Sequence, residues 1–147
     1  MSIENLMTRD LLTLDLDGTL YDAKQLIENN NIHHIIIVDD ERRIAGLLTD
    51  RMLYEHLSPS IGTPNETRSD QILLRKPVHS IMNRNVVTAN PKLGLNEAAF
   101  KFYKHNVSCL PIVDNKQTPI GIVTWRDIMK VIAAQFMKRK FQLNDEE

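Results

Sequence analysis

Residues 3–57 of the chain reappear, shifted by 75 positions and without a gap, as residues 78–132. Twelve positions are identical: Met7 and Met82, Arg9 and Arg84, Thr13 and Thr88, Leu20 and Leu95, Ala23 and Ala98, Asn31 and Asn106, Ile37-Val38-Asp39 and Ile112-Val113-Asp114, Gly46 and Gly121, Thr49 and Thr124, Arg51 and Arg126. Such an internal repeat constrains the fold more than any local signal, because both halves must adopt similar structures. Each copy, at roughly 55 residues, lies at the low end for independent folding. Two copies that bury their sheets against each other would share a core, create a pseudo-twofold axis and form a cleft where equivalent strand ends meet. A pattern found in one copy alone is not something the common fold requires.

Each copy reads as short strand, helix, strand, strand, helix. In copy one, Leu11-Leu12-Thr13 is a strand candidate, and Leu20, Ala23 and Ile27 stand at helical spacing. His34–Val38 is an apolar β-branched run closed by Asp39-Asp40. Ile44–Leu48 is the next strand and Arg51–Leu57 the closing helix. In copy two Leu95, Ala98, Ala99, Phe102 and Tyr103 form the stripe of an amphipathic helix. Cys109–Val113 and Pro119–Val123 are strands, and Ile128, Met129, Ile132 and Phe136 give the last helix a packing face. The expected division is repeat one over residues 1–58, a linker over 59–77, repeat two over 78–136 and a tail over 137–147. The linker opens on turn residues from Ser58 to Asn65, and Ile72-Leu73-Leu74 is expected to pin its second part to a core. The tail, with Lys138-Arg139-Lys140 and then Asp145-Glu146-Glu147, reads as a solvated helix end.

The net charge of −1 gives no basic face for non-specific nucleic-acid binding. No basic stretch followed by an apolar run opens the chain, and no apolar segment is long enough to span a bilayer. The lone Cys109 lies in an apolar run and reads as a buried, inert thiol. These features predict a cytoplasmic protein.

One stretch suggests a ligand. Gly121-Ile122-Val123-Thr124-Trp125-Arg126-Asp127 runs from a strand into a helix, opposite Gly46-Leu47-Leu48-Thr49-Asp50-Arg51-Met52 in copy one. The threonine hydroxyl can sit at the helix start, where unpaired N–H groups attract anions. A carboxylate three residues later can accept from a vicinal diol such as a ribose. Thr-x-x-Asp is equally the signature of a capping box, in which both side chains satisfy the helix's own N–H groups. Copy one has Met52 at the acid's place, so the fold does not require the acid.

The order, spacing and duplication of these stretches resemble tandem cystathionine-β-synthase (CBS) domains, the arrangement called a Bateman module. The residues that carry the resemblance are Leu6-Met7-Thr8 and Leu11-Leu12-Thr13, their partners Ile81-Met82-Asn83 and Val86-Val87-Thr88, the run Val107-Ser108-Cys109-Leu110-Pro111-Ile112-Val113-Asp114, and the two Gly-x-x-Thr stretches. The resemblance covers nearly all of the chain outside the linker and tail. It implies a mixed α/β (α+β) fold of two pseudo-twofold-related βαββα repeats packed sheet to sheet, with clefts for adenosine-containing ligands. It implies a main cleft formed by Thr13, Ile32, His33 and His34 with Ile122, Thr124, Arg126 and Asp127. There Asp127 would take the ribose hydroxyls, backbone near Ile32-His33 would read the adenine edge, and Arg126 or a histidine would meet phosphate. A second cleft would join Thr88, Val107, Ser108 and Pro111 to Leu48 and Thr49. Met52 cannot accept from a ribose, so this second site is expected to be weaker or empty.

Adjacent residues on a strand point to opposite faces, so His33 and His34 are poorly placed to share a metal. A solvated or core-edge histidine and a phosphate contact both remain open. An enzymatic alternative rests on Leu14-Asp15-Leu16-Asp17-Gly18-Thr19-Leu20, which resembles the first motif of haloacid-dehalogenase-type phosphatases, with Asp15 as nucleophile and Asp17 as acid/base. Against it, the chain is short, no later acidic motif for Mg²⁺ follows, and the repeat aligns this string with Asn90-Pro91-Lys92-Leu93-Gly94. The simpler reading is a strand-to-helix loop with Thr19 as helix cap. A third reading is a structural dimerisation module without ligand. The expected function is a non-enzymatic regulatory module that needs no cofactor. It senses AMP, ADP or ATP, with S-adenosylmethionine, NAD or a cyclic dinucleotide as other candidates, and signals to a protein effector in trans. The resemblance also implies a homodimer through helical faces, with Leu53, Leu57, Ile128, Met129 and Ile132 as candidate contacts that core packing could equally claim. Trp125 stands beside the expected cleft and reads as a partly buried packing residue.

Overall fold

A computed structural model describes residues 1–144 of the chain. The first half carries β1 (Thr13–Asp15), α1 (Leu20–Asn30), β2 (His34–Val38), β3 (Ile44–Thr49) and α2 (Asp50–His56). A short helix, α3 (Arg68–Leu74), follows. The second half carries α4 (Leu95–His105), β4 (Cys109–Val113), β5 (Pro119–Thr124) and α5 (Trp125–Asn144). β1, β2 and β3 form one sheet in that order, with β1 parallel and β3 antiparallel to β2. β4 and β5 form a second sheet, extended by a single parallel bridge between Ala89 and Ile112. The mixed α/β class is therefore as expected. The first strand of each copy is shifted, however. In copy one it begins at Thr13 rather than Leu11, and Leu12 is exposed. In copy two only the Ala89 bridge remains.

The local reasons are chemical. α1 and α3 each begin with a capping box. Thr19 Oγ1 accepts from Asp22 N–H at 3.1 Å while the Asp22 carboxylate accepts from Thr19 N–H at 3.0 Å. Thr67 and Asp70 do the same at 3.1 and 2.9 Å. α1 and α4 end on Asn31 and Asn106, both left-handed, with φ of 50° and 51°. Asparagine tolerates that conformation, so its identity in both copies follows from the backbone it ends.

The chain packs as two compact units, and their limits are not those of the repeats. One unit comprises Met1–Arg9, Val87–Asp114 and the described residues from Ile120 on; the other comprises Asp10–Val86 with the loop Asn115–Pro119. The segments that open the two copies have traded places. Ile3 and Met7, from copy one, lie in a buried cluster with Ala89, Ala98, Phe102, Leu110, Ile112, Val123 and Ile128. Val78 and Met82, from copy two, lie with Leu20, Ala23, Ile27, Ile35, Ile37, Leu48 and Leu53. Matching backbone pairs fix each segment. Thr8 and Ile122 exchange N–H···O bonds at 2.9 and 3.0 Å, and Asn83 and Leu47 do so at 2.9 and 3.0 Å. The repeated glycines mark the crossings, because a Cβ at Gly121 would sit 2.5 Å from Met7 Sδ and one at Gly46 would overlap Met82 Sδ.

Several expected core residues are elsewhere. Leu73 and Leu74 do pack against a core, but Ile72 is exposed. Tyr103 is 86% exposed, because it stands one step beyond the face that buries Ala98 and Phe102. Of the proposed packing face of the last helix only Ile128 is buried; Met129, Ile132 and Phe136 are exposed. The expected solvated end at Lys138-Arg139-Lys140 remains helical within α5. Residues 145–147 of the expected tail lie outside the described residues.

Candidate ligand site

Strand register gathers the candidate residues at one end of each sheet. In the unit built on β1–β3, Thr13 opens β1 beside Ile36, and His34 opens β2 opposite Thr49, the last residue of β3. α2 starts there. Thr49 Oγ1 accepts from Met52 N–H at 3.1 Å, and Asp50 N–H donates to the His33 carbonyl at 2.9 Å. The Asp50 carboxylate meets His33 Nδ1 at 2.7 Å and accepts from Arg51 N–H at 2.7 Å. Burial alone would raise the Asp50 carboxyl, but the hydrogen bonds from His33 and from the Arg51 N–H outweigh it and hold the group below the usual carboxylate range.

His34, the next residue along, is half-buried. Burial lowers its imidazole below the ordinary 6.5, the Asp50 charge opposes this, and His33 adds to it. Folding therefore favours neutral His34. The unfolded chain takes up a proton near pH 6.5 and the folded chain only at lower pH, so stability falls as pH drops through that window. Urea unfolding is expected to show the loss below pH 6.5, with a slope of at most about 1.4 kcal/mol per pH unit for one proton. His34→Gln should flatten it. An unchanged slope would place the titrating group elsewhere.

The other unit builds the same end differently. Trp125 N–H donates to the Ser108 carbonyl at 3.2 Å, the counterpart of the Asp50–His33 bond. Thr124 precedes α5, and Asp127 turns back onto it. Asp127 Oδ2 accepts from Thr124 N–H at 2.8 Å and from Thr124 Oγ1–H at 3.0 Å, and Thr124 Oγ1 accepts from Asp127 N–H at 3.4 Å. This is a capping box, the third Thr-x-x-Asp in the chain to serve as one. Capping and ligand binding are nonetheless compatible. A carboxylate offers about four acceptor sites, and Oδ1 takes no hydrogen bond among the described residues. Copy one has no acid at the Asp127 position; there Thr49 Oγ1 accepts from Met52 N–H and the Asp50 carboxylate accepts from Arg51 N–H. Asp127 is half-buried, Arg126 exposed, and Trp125 55% exposed rather than packed.

Thr13, Ile32, His33, His34, Leu48 and Thr49 thus belong to one compact unit. Thr88, Val107, Ser108, Pro111, Ile122, Thr124, Arg126 and Asp127 belong to the other. The residue missed from sequence is Asp50. Its place beside Thr49 gave no motif, and only the backbone turn at His33 brings the two side chains together.

Asp15 and Asp17, the residues of the phosphatase alternative, are both exposed, Asp15 at the end of β1 and Asp17 in the loop leading to α1, where Thr19 is the cap. Cys109 is buried, and burial pushes its thiol up to about 12, so it is protonated and inert at neutral pH. Leu53 and Ile128 are consumed by the two cores, and Leu57 packs against one while staying partly exposed. Met129 and Ile132 remain exposed. No helix among the described residues is long and apolar enough to cross a membrane.

Two sheets each flanked by helices, and two like-built strand-to-helix junctions 75 residues apart, define a duplicated α/β module. The chain belongs to the CBS domain family: the family model matches residues 3–59 and 78–134. It is 36% identical over 131 residues to a CBS domain-containing protein of Dictyostelium discoideum, covering 88% of this chain and 90% of the relative. It is 26% identical to homoserine O-acetyltransferase of Methanosalsum zhilinae, covering 90% of this chain but 24% of that enzyme. Its fold matches the crystal structure of the CBS domain pair of protein MJ0100 in complex with 5′-methylthioadenosine and S-adenosyl-L-methionine, with a TM-score of 0.75 and 24% identity, covering 92% of this chain and 98% of that one.

Proposed function

We propose that this CBS pair is a cytoplasmic regulatory module without catalytic activity of its own, which binds an adenosyl ligand and signals to a protein effector in trans. One site draws on Thr13, Ile32, His33, His34, Ile122, Thr124, Arg126 and Asp127, with Asp127 accepting from the ribose hydroxyls. A weaker site draws on Thr88, Val107, Ser108, Pro111, Leu48 and Thr49. The observation that carries the reading is Asp127. It is an acid at the junction where copy one has methionine, and its Oδ1 takes no hydrogen bond among the described residues. The MJ0100 pair crystallised with two adenosyl compounds supports the ligand class. AMP, ADP and ATP are the first candidates, followed by S-adenosylmethionine and NAD. Self-association through the exposed Met129 and Ile132 belongs to the same proposal.

Isothermal titration with AMP, ATP and S-adenosylmethionine tests it. Asp127→Met imports the copy-one residue and keeps Thr124 Oγ1 as the acceptor for the N–H of residue 127, as Thr49 is for Met52. Its affinity should nevertheless fall about tenfold or more, the cost of charge-assisted hydrogen bonds to a diol. Wild-type affinity in Asp127→Met and Asp127→Ala would remove the assignment. Ligand binding should also raise the melting temperature.

A further inference from the structure

We propose that the outward face of α4 binds an amphiphilic carboxylate, with the anionic head on Lys101 and Lys104 and the apolar body on Phe100 and Leu93. A cavity of about 430 Å³ lies on this face, and Leu93, Glu97, Phe100, Lys101, Lys104 and His105 line it. That volume is within the range of small-molecule sites, which are mostly apolar with a few fixed polar groups. Positions 97, 100, 101 and 104 share one helical face.

The comparison between copies separates this face from what the fold needs. Seventy-five residues earlier, Gln25 stands for Phe100, Leu26 for Lys101, Asn29 for Lys104 and Asn30 for His105. Leu26 packs against the core of its unit. Copy two instead places a half-buried lysine there and satisfies it with the Thr88 carbonyl, 2.9 Å from Nζ. On α1 the cation Lys24 is paired with Glu28 at 3.0 Å. On α4 neither Lys101 nor Lys104 has a carboxylate partner among the described residues, although Glu97 lines the same cavity. Complementing the helix dipole accounts for cations in the last turn. It accounts for neither Lys101, a turn earlier, nor Phe100, which is 61% exposed beside it. Glu97 repels an anion at its own end of the cavity, which directs the head towards Lys104 and leaves Leu93 and Phe100 for the apolar body.

The test uses octanoate and, as its neutral analogue, 1-octanol, followed by amide shifts in ¹⁵N spectra of the full chain. Octanoate should shift α4 amides saturably. Lys101→Leu, which imports the copy-one residue, should weaken octanoate about tenfold, the loss of one charge-assisted hydrogen bond, and leave octanol unchanged. Phe100→Gln, also a copy-one residue, should weaken both. Saturable shifts absent from α4, octanol binding as tightly as octanoate, or full octanoate affinity in Lys101→Leu would each overturn the proposal.

Discussion

Met7→Ala and Met82→Ala are each expected to lower the unfolding free energy by about 2–5 kcal/mol, the range for truncating a buried methionine. Both side chains are more than nine-tenths buried, and each is the far end of a segment that has crossed into the other repeat's core. Truncation leaves a cavity against a glycine, which has no side chain with which to refill it. Urea unfolding measures the loss. Amide exchange reads its location: Met7→Ala should accelerate Leu110 and Ile112 before Ile35 and Ile37, and Met82→Ala the reverse. Unchanged midpoints, or acceleration on the wrong sheet, would contradict the exchanged packing.

Gly121→Ala is expected to cost about 1–3 kcal/mol by overpacking. The added methyl would meet Met7 at Sδ, Cγ and Cβ, at 2.5, 2.8 and 3.1 Å, so rotating the end of the methionine cannot clear all three. Gly46→Ala should behave alike against Met82 Cγ at 2.8 Å and the Asn83 carbonyl at 3.0 Å. A double-mutant cycle makes this specific. Combined with Met7→Ala, Gly121→Ala should cost far less than alone, because the space it needs has been vacated. Strict additivity between the two substitutions would show that they do not share a contact.

Much of this architecture is legible in the sequence because the duplication lets one copy explain the other. The shared Asn31 and Asn106 end helices in a left-handed turn, and the shared Gly46 and Gly121 admit a methionine. The left-handed Arg42 and Gln117, at φ of 65° and 66°, are a different case, since neither residue advertises that conformation. In copy one Asp39 holds the turn, accepting from the N–H groups of Glu41 and Arg43 at 2.9 Å each. The exchange of opening segments is invisible for a deeper reason. Ile3 and Val78, like Met7 and Met82, offer equivalent apolar surfaces, so pattern alone cannot say which core each enters. Periodicity likewise finds an apolar stripe on α5 but not what covers it, and Met129, Ile132 and Phe136 face outward. At the candidate site the limit is chemical. Thr-x-x-Asp occurs at Thr19, Thr67 and Thr124, and every occurrence caps a helix. Spacing cannot separate a cap from a cap that also serves a ligand; the contrast between Asp127 and Met52 can.

The traded segments also impose an order on synthesis. Ile3 and Met7 leave the ribosome long before Ala89, Leu110 and Val123 exist to receive them. The nascent chain can bring Leu20, Ile35, Leu48 and Val78 together while the thread that carries Ile3 and Met7 is still unpaired. Chaperone capture of that thread, or its insertion into a neighbouring polypeptide's newly made second half, is the hazard such a chain carries until translation has passed β5.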